Sequence, residues 1–161
     1  AGVVSAKEGD RLVFKGLENV RTDWTRLARE FQEELYRRIF MHEAFEDYVK
    51  ELTSSVLAGL EDEQLVYRKR LRRRLDDYEK NIPPHVQAAR KFAERGLAAP
   101  TRGDWVEYVI TSSGAEPAEK PLAPLDYQHY VDRQLAPVAD GILGFMGTSF
   151  SALTDKQIGL F

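Results

Sequence analysis

The chain has 161 residues, 43% of them hydrophobic and 30% charged, enough for one domain with a core or for a core plus appendages. It contains no Cys, so disulfides, thiol catalysis and cysteine-ligated zinc are excluded. Its 23 basic and 26 acidic residues give a net charge of −3, yet the window from Gln64 to Arg95 holds ten basic and four acidic residues, a net of +6. That split implies one face suited to polyanions on an otherwise acidic body.

The start, AGVVSAKEGD, lacks the charged and apolar regions of a signal peptide. It also lacks an initiator Met, which leads us to expect a fragment of a longer protein. The longest apolar run, near Ile142 to Met146, is broken by glycine and too short to span a bilayer. A cytoplasmic chain with no membrane attachment is expected.

Ala1 to Val4 and Arg11 to Gly16 are short apolar runs separated by the turn-rich SAKEGD, and they read as a β-hairpin. Two strands alone are marginal in water. The hairpin therefore either packs on helices of this chain or belongs to the sheet of a neighbouring domain. Thr22 or Asp23 is the expected N-cap of a helix carrying Trp24, Leu27, Ala28, Phe31, Leu35 and Ile39 at helical spacing, ending near Phe40. Glu30, Glu33, Glu34, Arg37 and Arg38 fall on its solvated side. A second helix is expected from about Ala44 to Ala58, with Phe45, Tyr48, Val49, Leu52 and Val56 inward and Gly59 as its stop.

Leu65 to Tyr67 reads as a short strand leading into the basic run, with a helical turn or two through Leu71, Leu75 and Tyr78. Pro83 and Pro84 break that turn, and Pro84 suits the first turn of a helix over His85 to Glu94, closed by Gly96. Trp105 to Ile110 alternates and is rich in β-formers, a clear strand. Ser112 to Pro124 reads as connection. A helical region follows from Asp126 through Tyr127, Tyr130, Val131 and Leu135, kinked or restarted at Pro137. Phe150 to Leu153 suggests one more turn, and DKQIGLF an exposed tail.

Catalytic constellations are missing from this sequence. His42, His85 and His129 are isolated, with no metal-ligand spacing among them. Asp76-Asp77 and Glu61-Asp62-Glu63 are adjacent, so their side chains diverge on a helix. Neither a nucleophile elbow nor a phosphate-binding glycine loop occurs. Arg102-Gly103-Asp104 beside a strand reads as a turn. On these residues the chain is not expected to be an enzyme.

Polyanion chemistry is present. Six of the seven residues from Arg68 to Arg74 are basic, and contacts from such a run to phosphates release counterions and depend steeply on salt. No Asn or Gln is interleaved to read bases, so backbone or shape contact is favoured over sequence readout. The helix expected at Pro84 adds His85, Arg90 and Lys91 nearby. The alternative is a basic face neutralised internally by the acidic stretches Glu30–Glu34 and Glu43–Glu51, which would make the chain a structural helical interaction domain. At the C-terminus, Gln157, Ile158, Leu160 and Phe161 form a short anchor that needs an apolar pocket, unless Leu160 and Phe161 fold back on the domain.

Several segments, in order, resemble the C-terminal part of bacterial family B DNA polymerases of the polymerase II type. They are FKGLENVRTDW (Phe14 to Trp24), FQEELYRRIF (Phe31 to Phe40), LVYRKRL with Tyr78, PPHVQAAR (Pro83 to Arg90), RGDWVEYVI (Arg102 to Ile110) and PLDYQHYVDRQLAPVADGIL (Pro124 to Leu143). The resemblance implies an α+β, mainly helical fold: a thumb-like helical subdomain with a few short strands and an N-terminal hairpin. It divides the chain into the end of a palm sheet (1–20), the thumb (21–153) and a tail (154–161). It implies a grip on primer–template duplex DNA by Arg68, Lys69, Arg70, Arg72, Arg73, His85 and Arg90, with Lys69 and Arg70 foremost. Arg74 is left out, since a basic residue is not required there. The family's paired palm aspartates, which hold two Mg²⁺ ions, and its exonuclease carboxylates do not occur here. This piece should therefore be non-catalytic and without cofactor, partnered by the missing palm and exonuclease domains. QIGLF resembles the Gln-x-x-Leu-Phe motif that docks in the sliding clamp, and the protein would work in the cytoplasm at the nucleoid.

Overall fold

The computed structural model describes the backbone of residues 3–8, 11–15 and 24–158, with side chains over 24–155. The chain is α+β. Two strands, β1 (Val3–Glu8) and β2 (Arg11–Lys15), pair antiparallel as the expected hairpin, with a register irregularity between Ser5 and Glu8. The chain divides into two compact units, residues 1–62 with 127–161, and residues 63–126.

Apart from the hairpin, the described elements of the first unit are helical. Helix α1 (Arg26–Phe40) buries Leu27, Ala28, Phe31 and Leu35, the expected stripe, together with Gln32 and Tyr36. Its N-cap is Thr25 rather than Thr22 or Asp23, which lie outside the described residues. The Thr25 hydroxyl accepts the Ala28 N–H at 3.3 Å. Trp24, expected within the helix, is buried just ahead of it. On the outer side Glu34 accepts from both Arg37 and Arg38, and Arg37 also reaches Glu43. Hydrogen bonding from Arg37 holds the Glu34 carboxyl below its ordinary range despite partial burial.

Helix α2 (Glu46–Leu57) buries Val49, Thr53 and Val56; Phe45, Tyr48 and Leu52 are only half-buried. The Gly59 N–H bonds Val56 O and the Leu60 N–H bonds Ser55 O, closing the helix in a Schellman motif with Gly59 at φ +79°. The next helical stretch of this unit comprises α4 (Tyr127–Tyr130), a π turn (Val131–Leu135) and α5 (Ala136–Leu143). Pro137 does not break it. The π turn, in which the Ala136 N–H bonds Val131 O, absorbs the disruption one residue earlier. That turn also buries Gln134, whose Oε1 accepts both the Thr25 N–H and the Thr25 hydroxyl at 2.8 Å.

Helix α6 runs from Phe150 to Ile158, longer than the single expected turn. Asp140 Oδ1 accepts the Phe150 N–H at 2.7 Å and Ser149 Oγ the Ala152 N–H at 3.1 Å, while Phe150 and Thr154 bury one face. Those caps start a helix at the expected turn, and it runs on into the segment whose local pattern predicts a tail. Among the described residues, no helix is long and apolar enough to cross a membrane.

The second unit is a three-stranded antiparallel sheet in the order β3 (Tyr67–Arg70), β4 (Trp105–Thr111), β5 (Gly114–Pro117), with α3 (Pro84–Ala89) packed on β4 and β5. Two expectations fail here. The strand begins at Tyr67 and takes in Arg68, Lys69 and Arg70, because it pairs with β4 while alternate side chains turn outward. Leu71 extends this pairing through Asp104 O and the Gly103 N–H, so the helical turn shrinks to a 3₁₀ turn at Leu75–Asp77. The second failure is β5, which lies within the stretch read as connection. Gly-Ala-Glu-Pro has little intrinsic β preference. It becomes a strand because the Ser112-Ser113 turn, with Gly114 at φ +98°, folds it onto β4. The helix expected over His85 to Glu94 is also shorter, since α3 ends at Ala89 and a separate 3₁₀ turn, Ala93–Arg95, follows before Gly96 at φ +74°; Thr101 to Asp104 form the expected turn.

Candidate nucleic-acid interface

The basic run lies wholly in the unit 63–126, and the alternation of β3 sorts it. Tyr67 is buried and stacks on its register partner Tyr108 at 5.1 Å. Arg68 and Arg70 point to the opposite, solvent side, across from Glu107 and Trp105. Lys69 shares the side of Tyr67, half-buried and close enough to His85 to act on its protonation. The two residues singled out as the foremost contacts thus lie on opposite faces of one strand.

Each side chain has a defined setting. The Arg68 guanidinium lies over the Trp105 ring, 4.2 Å from its centroid, and its Nε is 3.8 Å from Glu107. Arg70 is 5.9 Å from the same centroid and donates through Nε to Gly103 O at 3.0 Å. Arg72, Arg73 and Arg74 are exposed on the connection after β3. Arg73 sits over the Tyr78 ring at 5.2 Å, and Arg74 is 3.8 Å from Asp77. Arg90 is exposed, yet its Nη2 donates to Leu75 O and Tyr78 O at 2.9 and 2.7 Å, tying the 3₁₀ turn to the end of α3.

His85 is placed differently from the others. It is 5% exposed, edge-on to Tyr78, and its Nδ1 has no hydrogen-bond partner. Burial holds its pKa below the ordinary value, and the Lys69 ammonium adds to the effect, so the ring is neutral at neutral pH. It lies beneath the surface rather than on it.

The ion pairs bear on whether the run is neutralised internally. Among the described residues, Arg68 to Arg74 form only two, each at 3.8 Å between side chains about half exposed or more. Pairs of that kind contribute little and leave the cations available. Glu30 and Glu34 of α1 are engaged by Arg26, Arg37 and Arg38. The strong pair of this unit lies elsewhere: Arg95 and Glu116, 2.8 Å apart, with side chains only 10% and 1% exposed.

Sequence reasoning assigned Trp105 to a strand but gave it no part in the site. The signal was available. In WVEYVI the charged Glu107 marks the solvent face, and period-2 alternation puts Trp105 on that face, where it is 50% exposed. Among the described residues no group of three or more His, Asp or Glu could hold a metal ion. The side chains present do not fit a pair of Mg²⁺ ions, and no metal-dependent step is assigned to them.

Comparison with known proteins identifies the family of the chain. The profile of DNA polymerase family B matches residues 1–146. DNA polymerase II of Escherichia coli is 50% identical over the whole of this chain, which spans 21% of that protein. A DNA polymerase of Thermococcus gorgonarius is 27% identical over 95% of the chain, and 22% of its own length is covered. The family B DNA polymerase of Pyrobaculum calidifontis superposes with a TM-score of 0.66 at 26% identity, over 84% of this chain and 19% of that one. The chain thus spans about a fifth of the length of these relatives, and it belongs to DNA polymerase family B.

Proposed function

We propose that this chain is the non-catalytic C-terminal portion of a DNA-directed DNA polymerase of the polymerase II type. In this reading residues 1–20 end the palm, 21–153 form the thumb and 154–161 the clamp-binding tail. The parent's nucleotidyl transfer, with its Mg²⁺ ions, belongs to domains outside this chain. The thumb holds primer–template duplex by backbone and minor-groove contacts from Arg68, Lys69, Arg70, Arg72 and Arg73. Arg90 braces the turn beneath them and His85 packs under Tyr78.

One observation carries the reading. Among the described residues, six basic side chains within seven positions keep only two long, exposed ion pairs, which supports a charge available to an external polyanion. The rival, a structural interaction domain with a neutralised basic face, requires those residues to be paired. The test replaces Lys69 and Arg70 by glutamate and titrates the chain with a labelled primer–template duplex at several salt concentrations. Weaker binding and a salt slope shallower by about two are expected, near 0.9 for each phosphate that is no longer neutralised. An unchanged affinity and slope would sink the assignment of this face.

We propose further that Gln157, Ile158, Leu160 and Phe161 dock in an apolar groove of the sliding clamp, Gln157 orienting the segment and the three apolar side chains filling the groove. Gln157 and Ile158 form the last turn of α6, whereas Leu160 and Phe161 lie outside the described residues. Alanine at both Leu160 and Phe161 leaves α6 whole. It should abolish clamp binding while duplex affinity stays the same; equal clamp affinity would refute the docking.

A further inference from the structure

We propose that Trp105 is a positioning residue, holding the Arg68 and Arg70 guanidiniums as a pair for two successive phosphates of one nucleic-acid strand. The inference rests on the reading of residues 63–126 as a duplex-backbone surface. It starts from an indole that the core does not use. Val106 and Tyr108 of β4 are buried, whereas Trp105 stands half exposed on the other face. What sets Trp105 apart from the other exposed apolar side chains is that two guanidiniums lie against its ring.

The register accounts for this. Arg70 is directly opposite Trp105 across the β3–β4 pair and Arg68 is its diagonal neighbour, both within reach of a long side chain. The two guanidinium carbons stand 4.2 and 5.9 Å from the ring centroid, cation–π distances for both. Further restraints act through Nε, on Arg68 from Glu107 at 3.8 Å and on Arg70 from Gly103 O at 3.0 Å. Because these restraints act through the guanidinium plane or Nε, the Nη ends remain available to grip an oxyanion in the two-pronged manner of arginine.

Spacing is consistent with one strand of the ligand. The Cα atoms of residues i and i+2 in a β-strand lie roughly 6.7 Å apart, so the two side chains leave the backbone at a spacing comparable to the step between neighbouring phosphates of one strand. Rotamer freedom already lost to the indole need not be lost again on binding, so the Trp ring raises affinity without adding charge.

A double-mutant cycle tests this with the full chain and a short labelled primer–template duplex, titrated over a series of salt concentrations. The proteins are the parent chain, Trp105→Ala, Arg68→Ala/Arg70→Ala and the triple variant, with Trp105→Phe as the conservative control. Trp105→Ala should weaken binding by about two- to fivefold, the scale of an exposed cation–π contact. Its thermal unfolding should match the parent's, Trp105→Phe should restore most of the affinity, and the effect should vanish once both arginines are gone. Weakening of equal size in both backgrounds overturns the positioning role, since the ring would then act independently of the arginines. So does an unchanged Trp105→Ala while Arg68→Ala/Arg70→Ala weakens binding; the duplex reading then stands. If Arg68→Ala/Arg70→Ala leaves affinity and slope intact, the duplex reading itself fails at this face.

Discussion

Glu116 offers the sharpest test of how the basic unit is held together, and Glu116→Gln is the perturbation. The carboxylate is 1% exposed, and each of its oxygens is engaged. Oε1 accepts from Arg95 Nη2 and from the Leu122 N–H, both at 2.8 Å. Oε2 accepts from the Thr111 hydroxyl and from the Ala123 N–H at 3.3 Å. A glutamine fits the space but carries two donors on one side, so an existing donor loses its acceptor in either orientation of the amide. The larger effect is on Arg95, whose side chain is 10% exposed and whose Nε and Nη1 already lack partners. Removing the one carboxylate beside it leaves a buried cation uncompensated, a change that costs about 3–5 kcal/mol. We take the lower end, about 3 kcal/mol, because the glutamine oxygen still accepts one hydrogen bond from Arg95. Hydrogen exchange should read the loss locally, with faster exchange over β3, β4, β5 and α3 and little change in α1. The pH dependence has a definite sign. Burial pushes the Glu116 carboxyl up, but hydrogen bonds from Thr111, Leu122 and Ala123, with the Arg95 charge, outweigh it and hold it below its ordinary value. A pKa lower in the folded state gives stability that is full above the unfolded value, about 4.3, and is lost as pH falls below it. Acid should therefore loosen this unit in the parent chain and add little in Glu116→Gln. A loss below about 0.5 kcal/mol, the size of an ordinary surface substitution, would refute the reasoning.

Two further outcomes follow from the helical unit. Gln134→Leu removes the acceptor of both the Thr25 N–H and the Thr25 hydroxyl, so urea denaturation should show a loss of about 1–3 kcal/mol; Thr25→Ala should cost less in that background than in the parent. Gly59→Ala forces an L-residue to φ +79° and sets its Cβ 3.0 Å from Tyr127 Oη, a cost of about 1–3 kcal/mol, part of which Tyr127→Phe should relieve. An equal cost in both backgrounds would leave only the backbone term.

The helices were legible because their apolar spacing agrees with their burial. Leu27, Ala28, Phe31 and Leu35 fall on one stripe and are all buried. What escaped was set by partners distant in sequence. Thr25 caps α1 with help from Gln134, more than a hundred residues away, which no local capping preference reveals. Strand β5 exists through pairing with β4 and through Glu116, a charged residue whose burial depends on Arg95. Helix α6 outlasts its weak pattern because Asp140 accepts the Phe150 N–H from ten positions earlier. The basic run was legible as a charge, but its geometry was not, since a strand was expected to stop at Tyr67.

That geometry changes what the charge can do. Six cations in seven residues on a helix would radiate in all directions, and a net of +6 would describe a field rather than a site. On β3 the same residues are sorted by the pleat. Arg68 and Arg70 turn outward over Trp105, while Lys69 turns inward toward His85. Arg72 to Arg74 continue past the strand on an exposed connection. A duplex backbone approaching the outer face would meet two oriented guanidiniums, whereas Lys69 would reach it only along the strand edge. Single charge reversals at Lys69 and Arg70 should therefore differ, Arg70→Glu weakening duplex binding more. Both remove one cation and add one anion, so a purely diffuse field would make them equal within error. An equal effect would show that this face binds by net charge alone, and the order of side chains along β3 would then have no bearing on how it grips.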